Sequence, residues 1–204
     1  MISEETKILD VGSEEGSNIN FYLDGTKARP ENVYLADINE SAIESGKKKF
    51  GYRAVLLDES AKLPFADDFF DVVFCSSVIE HTTVGKEKVW EIKDEAEFAR
   101  LSFQRQTILA NEIRRIGQSY FVQTPNRNFI FETHSWLPFI AFLPRPLLIK
   151  ALKFFNRFWI KITIPDFHLL DKNQMKSLFP EARIVSEKKF GMIKSIIAIK
   201  NEEK

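Results

Sequence analysis

The sequence predicts an α/β fold: a mostly parallel, seven-stranded sheet with helices on both faces, finished by an antiparallel hairpin. Three observations carry this. Short apolar runs alternate with helical stretches over the first 125 residues, which is the pattern of βαβ units. Three of the first four runs end in an acid, at Asp10, Asp37 and Asp58. The last two runs, 182–189 and 192–200, are separated by little more than Gly191, a hairpin signal.

Taken in order, residues 7–12 predict a buried strand entering a turn, and 17–23 a short helix broken by Asp24-Gly25. Residues 32–37 are a second strand. Asn39 suits the N-cap of a helix through Lys49, whose Lys47, Lys48 and Lys49 complement the helix dipole. Residues 53–58 and 70–76 are the third and fourth strands. Apolar positions at helical spacing, including Phe98, Leu101, Leu109, Ile113 and Ile116, predict a long helix over about 94–116, stopped by Gly117. The fifth strand is 119–124, ending at Pro125. A Phe- and Pro-rich stretch follows, then a helix over about 172–178 and the two hairpin strands. The 204 residues read as one domain, with the aromatic, basic insert at about 126–168 as a candidate substrate lid.

A hydrophobic fraction of 44% with 28% charged residues excludes a disordered chain. A single Cys excludes an internal disulfide framework and a Cys-based zinc site, and it fits a reducing compartment. The start of the chain has neither the basic nor the apolar part of a signal peptide, and no charge-free apolar run reaches bilayer-spanning length. A cytoplasmic location is therefore expected. The balance of 29 Lys+Arg against 29 Asp+Glu argues against a general nucleic-acid binder. It is not uniform: residues 129–164 sum to +4 and hold nine of the aromatics, leaving −4 for the rest.

In an open α/β sheet, ligands bind beyond the carboxyl ends of the strands. Acids there are solvated or cap helices, or they serve a ligand bearing a ribose and an amino group. Three at successive strand ends favour the ligand, with Asp37, 25 residues after Gly12, placed for ribose hydroxyls. The first turn, Gly12-Ser-Glu-Glu-Gly16, puts glycines where the backbone must bend and approach a ligand. With Asp10 before it and Asp37 after it, this turn resembles the first motif of class I S-adenosylmethionine-dependent methyltransferases. Asp58, Leu63-Pro64-Phe65, Phe70-Asp71-Val72-Val73 and Glu80-His81 resemble the small-molecule branch known as type 11. The resemblance covers about residues 7–125 and, loosely, the terminal hairpin.

The resemblance implies a Rossmann-like class I methyltransferase sandwich and S-adenosylmethionine as cofactor. Asp10, Gly12, Glu14 and Gly16 would cradle its methionine part, Asp37 would bind the ribose and Ile38 would pack on the adenine. Asp58 would accept from the adenine amino group, and Ser76 or Ser77 would line the floor near the sulfonium. The acceptor would be a small molecule or a lipid-linked group. The departure is Glu14, which stands where the family's turn has its middle glycine. A carboxylate there could crowd the cofactor or pair with its amino group, so a non-catalytic relative that only binds the cofactor is the alternative. A nicotinamide-dependent oxidoreductase is disfavoured, because the turn is not G-x-G-x-x-G.

His81 and His134 are candidate general bases, since an imidazole titrates near working pH. His134 stands in a Pro125-Asn126-Arg127…Glu132-Thr-His134 run similar to one in related methyltransferases. No metal is expected, as Glu132, His134 and His168 lack diagnostic spacing. Residues 147–162 place apolar side chains at steps of three and four, with Lys150, Lys153, Arg157 and Lys161 mainly between them. That spacing predicts a basic amphipathic helix. It is a structural cap, a lid over the acceptor, or a peripheral contact with the inner face of a membrane. Pro138, Pro144 and Pro146 bend the segment leading into it.

Overall fold

The computed structural model describes residues 2–130 and 135–201. Its sheet runs β3-β2-β1-β4-β5-β7-β6. The strands are β1 (Ile8–Val11), β2 (Val33–Asp37), β3 (Arg53–Leu56), β4 (Phe70–Ser76), β5 (Gly117–Pro125), β6 (Arg183–Lys189) and β7 (Met192–Lys200). The first five pair in parallel, and β7 is antiparallel to both β5 and β6. Phe190 and Gly191 join β6 to β7 with both φ angles positive, at 53° and 78°, which matches the right-handed twist of a two-residue hairpin.

Alternation along the strands divides two cores. Leu9 and Val11 face the side covered by α3 (Glu95–Ile116) and α5 (Lys172–Leu178), with Ile113, Met175 and Phe179. Ile8, Val33 and Leu35 face the opposite side, against Ile19 of α1 (Ser17–Leu23) and Ile43 of α2 (Glu40–Phe50). Local signals set several helix ends. The Asn39 side chain accepts from the Ala42 amide and Asp94 Oδ1 from the Glu97 amide, and Asp171 with Gln174 forms a capping box.

Several strand and helix boundaries differ from the sequence reading. β3 ends at Leu56, short of Asp58. The long helix does stop before Gly117, but Gly117, with extended backbone (φ −112°), is also the first residue of β5, two residues before the expected start. A Cβ there would stand 2.6 Å from Val73 Cγ2, so the glycine answers to packing against β4. The helix expected over 147–162 is α4 (Arg145–Phe155), with Pro146 in its first turn. It stops because the Asn156 side chain folds back on Thr163: Nδ2 donates to the Thr163 carbonyl at 2.8 Å and Oδ1 accepts from the Thr163 amide at 3.0 Å. Residues 157–163 are thereby a closed loop.

The insert has its own small core of Leu137, Ile140, Leu148, Leu152, Phe167 and Leu169. Arg145, counted among the cations of the basic stretch, is 1% exposed. Its guanidinium donates to the carbonyls of Val89, Ile92 and Pro165 and lies over the Phe98 ring, while its amide donates to Glu95 Oε2. Burial lowers its pKa to about 10, opposed by Glu95. Among the described residues no helix is long and apolar enough to cross a membrane.

Candidate functional site

The strand order reverses between β1 and β4, and a cleft of about 380 Å³ opens there, beyond the carboxyl ends of β1, β2 and β4. Gly12, Glu14, Asp37, Ile38, Asp58, Ser77 and His81 line it. Asp10, Gly16 and Ser76 do not. Asp10 lies behind the turn at 3% exposure, Gly16 packs against Leu35, and the Ser76 hydroxyl donates to Gln123 Oε1. His134 lies outside the described residues, as does Glu132.

The first turn is built by close approach. Gly12 has φ 67°, and a Cβ there would reach within 2.4 Å of Val78 on the far wall of the cleft. Gly16 has φ 78°, and a Cβ on it would meet Leu35 at 2.7 Å. Glu14 has φ 48°, so it holds the left-handed backbone that its glycine counterpart would adopt freely. The turn is tied to β2 at this residue: the Glu14 amide donates to Asp37 Oδ2, and the Asn39 amide to Asp37 Oδ1, both at 2.9 Å. Two amides orient the Asp37 carboxylate, and each oxygen keeps a second lone pair for a further donor.

The acids differ in setting. Burial first, and Asp37 second, hold the Asp10 carboxyl well above the usual range, and its Oδ2 has no hydrogen-bond partner among the described residues. Asp58 stands two residues past β3, fully exposed, and the Ser60 hydroxyl and amide lower its pKa. A buried carboxyl without a partner, an oriented carboxylate and an ionised one thus face the cleft or stand behind its turn. That donor set suits a cationic ligand bearing hydroxyl and amino groups.

His81 belongs to a short 3-10 turn after β4, and its Nδ1 is 3.2 Å from Asp166 Oδ1. Asp166 also lines the cleft, the one residue of the described insert that does. Sequence reasoning missed it, although it is the first acid after a run, residues 133–165, with none. Gln106 of α3 holds the two segments together. Its Nε2 donates to the carbonyls of Ile79 and His168, leaving Oε1 to accept from His168 Nδ1 at 2.9 Å. The His168 amide donates to the Glu80 carbonyl. Burial, with Arg127 and Arg145, lowers His168 to about 4, so it is a neutral structural imidazole. Gln106 and Ser102 interrupt the apolar stripe of α3 at helical spacing, a visible signal of this role.

Residues 9–96 match the family described as "Methyltransferase domain". The sheet order, with β7 inserted antiparallel between β5 and β6, is shared with the solved relatives. The chain has a class I methyltransferase fold. It resembles a SAM-dependent methyltransferase of Methanosarcina mazei at 14% identity and TM-score 0.55, over 99% of this chain and 95% of that one. A SAM-dependent methyltransferase of Aquifex aeolicus shows 14% identity and TM-score 0.52, over 98% and 83%. The magnesium protoporphyrin IX methyltransferase of Synechocystis PCC 6803, solved with bound SAH, shows 14% identity and TM-score 0.51, over 96% and 74%. No curated protein matches the sequence. Within this methyltransferase fold the cleft occupies the switch point where the strand order reverses.

Proposed function

We propose that the protein binds S-adenosylmethionine in this cleft and transfers its methyl group to a small-molecule or lipid-linked acceptor. The observation that carries the reading is Asp37, oriented by the Glu14 and Asn39 amides at the lip of the glycine turn. Its remaining lone pairs would hold the ribose hydroxyls, with Ile38 against the adenine face and Asp58 towards the adenine amino group. When bound, the cofactor supplies an electrophilic methyl on its sulfonium.

The protein's remaining task is to align a nucleophile and to take its proton. Asp166 accepting from His81 Nδ1–H would fix the tautomer in which Nε2 carries the lone pair, and Nε2 would then receive the proton of an acceptor hydroxyl or amine. Asp166 acts here through His81, as a positioning residue.

Calorimetric titration with S-adenosylhomocysteine tests the cofactor assignment. Saturable binding is expected, weakened about tenfold or more by Asp37→Ala through loss of a charge-assisted pair of hydrogen bonds. No binding at millimolar ligand, or affinity unchanged in Asp37→Ala, overturns it. His81→Gln should leave that binding intact and abolish transfer of labelled methyl groups into aqueous or lipid extracts. Transfer that persists would remove His81 from the mechanism and favour the acceptor as its own nucleophile.

A further inference from the structure

The insert exposes apolar surface in a pattern that packing does not explain. From Phe158 to Ile164 the chain turns and bends, and exposure alternates from one residue to the next. Trp159 and Thr163 turn inward, the Trp159 indole donating to the Ser135 carbonyl and Thr163 held in the Asn156 clasp. Phe158, Ile160, Ile162 and Ile164 turn outward, exposed by 61, 91, 75 and 40%. Phe154, on the adjoining face of α4, extends the patch and packs edge-on to Phe158 at 5.1 Å between ring centres. Single exposed apolar residues are ordinary, but a contiguous set on a closed loop marks an interaction surface.

The charge around this patch chooses the partner. Residues 133–165 contain no Asp or Glu. With Arg145 buried, Lys150, Lys153 and Arg157 are the segment's exposed cations, and Lys161, half-buried, lies over the exposed Trp136 ring at 5.0 Å. A second copy meeting this face would oppose three exposed cations with three more. An anionic lipid surface offers apolar depth for the isoleucines and negative headgroups for the cations, and it suits Trp at the boundary. We propose that the 157–164 loop and the adjoining face of α4 seat on an anionic phospholipid bilayer, with the outward Phe158, Ile160 and Ile162 entering it. Asp166, two residues beyond the loop, is in the cleft wall, so the seated face adjoins the acceptor side of the site.

Sedimentation of the full chain with vesicles tests this without any methyl donor, so its outcome is independent of the proposed activity. Binding is expected to equimolar phosphatidylcholine and phosphatidylglycerol, to fall with added salt, and to be weak on phosphatidylcholine alone. Ile160→Asp with Ile162→Asp should lower partitioning about tenfold or more. Lys150→Glu with Lys153→Glu should lower it about fivefold per lost cation on the mixed vesicles only. These positions face solvent, so thermal midpoints should hold; if the aspartates disturb the loop, Ile160→Ser with Ile162→Ser should still give a smaller loss. No binding to the mixed vesicles at low salt overturns the proposal, as does binding that the isoleucine variants leave unchanged. A dimer that Ile160→Asp dissociates, in a chain that ignores vesicles, assigns the face to a second copy instead.

Discussion

At Glu14 the local preference and the turn geometry disagree. Its φ of 48° costs an L-residue roughly 1 kcal/mol, and its amide is nevertheless fixed on Asp37. Glu14→Gly should therefore raise stability by about 0.5–1 kcal/mol, read as a higher denaturation midpoint with an unchanged slope. A lower midpoint would mean that the side chain makes a contact worth more than the strain. His168 gives a second prediction at this scale. Its folded pKa, about 4, lies below the unfolded value near 6.5, so the unfolded chain binds more protons between them. Its contribution is complete above pH 6.5 and is lost as pH falls through 4, a decline of roughly 3 kcal/mol at most. Urea unfolding from pH 7 to 4.5 should show this decline, and His168→Gln should flatten it.

At the scale of elements, what was legible in the sequence was what neighbouring residues decide. Asn39, Asp94 and the short apolar runs declare themselves within a few positions, so α2, α3 and β4 fall where their patterns put them. The end of α4 does not, because Asn156 chooses Thr163 over a further turn of helix, and that choice depends on a folded loop. Asp166 and Gln106 act across the fold, on partners such as His81 and Ile79, and no local spacing encodes such pairs. Arg145 was the most misleading residue. A cation in the first turn opposes the helix dipole, and that conflict was itself a sign of a special partner. Its fork joins α4 to the segment before α3 at the Val89 and Ile92 carbonyls and to the end of the insert at the Pro165 carbonyl. Arg145→Ala should cost about 3 kcal/mol or more by leaving them buried and unpaired, and Arg145→Lys should recover only part of it. Thermal unfolding, with proteolysis to map the 135–165 segment, measures both.

Over the whole molecule, the even tally of cations and acids hides a division of surfaces. Acids gather at the switch point of the sheet, and cations with bare aromatics gather on the insert. In the cleft the two regions meet at His81, in the turn after β4, and Asp166, from the end of the insert, with Gln106 and His168 paired behind them. The cleft consequently has two modes of failure. Loosening the glycine turn would cost the ligand and leave the imidazole aligned. Unseating the insert would leave Asp37 and its two amides intact while the imidazole lost its anchor, so such a chain would still hold its ligand but could no longer move a proton. Under the proposed function, readiness to bind and readiness to react are thus wired to different parts of the chain, and only the second is wired to the face proposed to meet a bilayer.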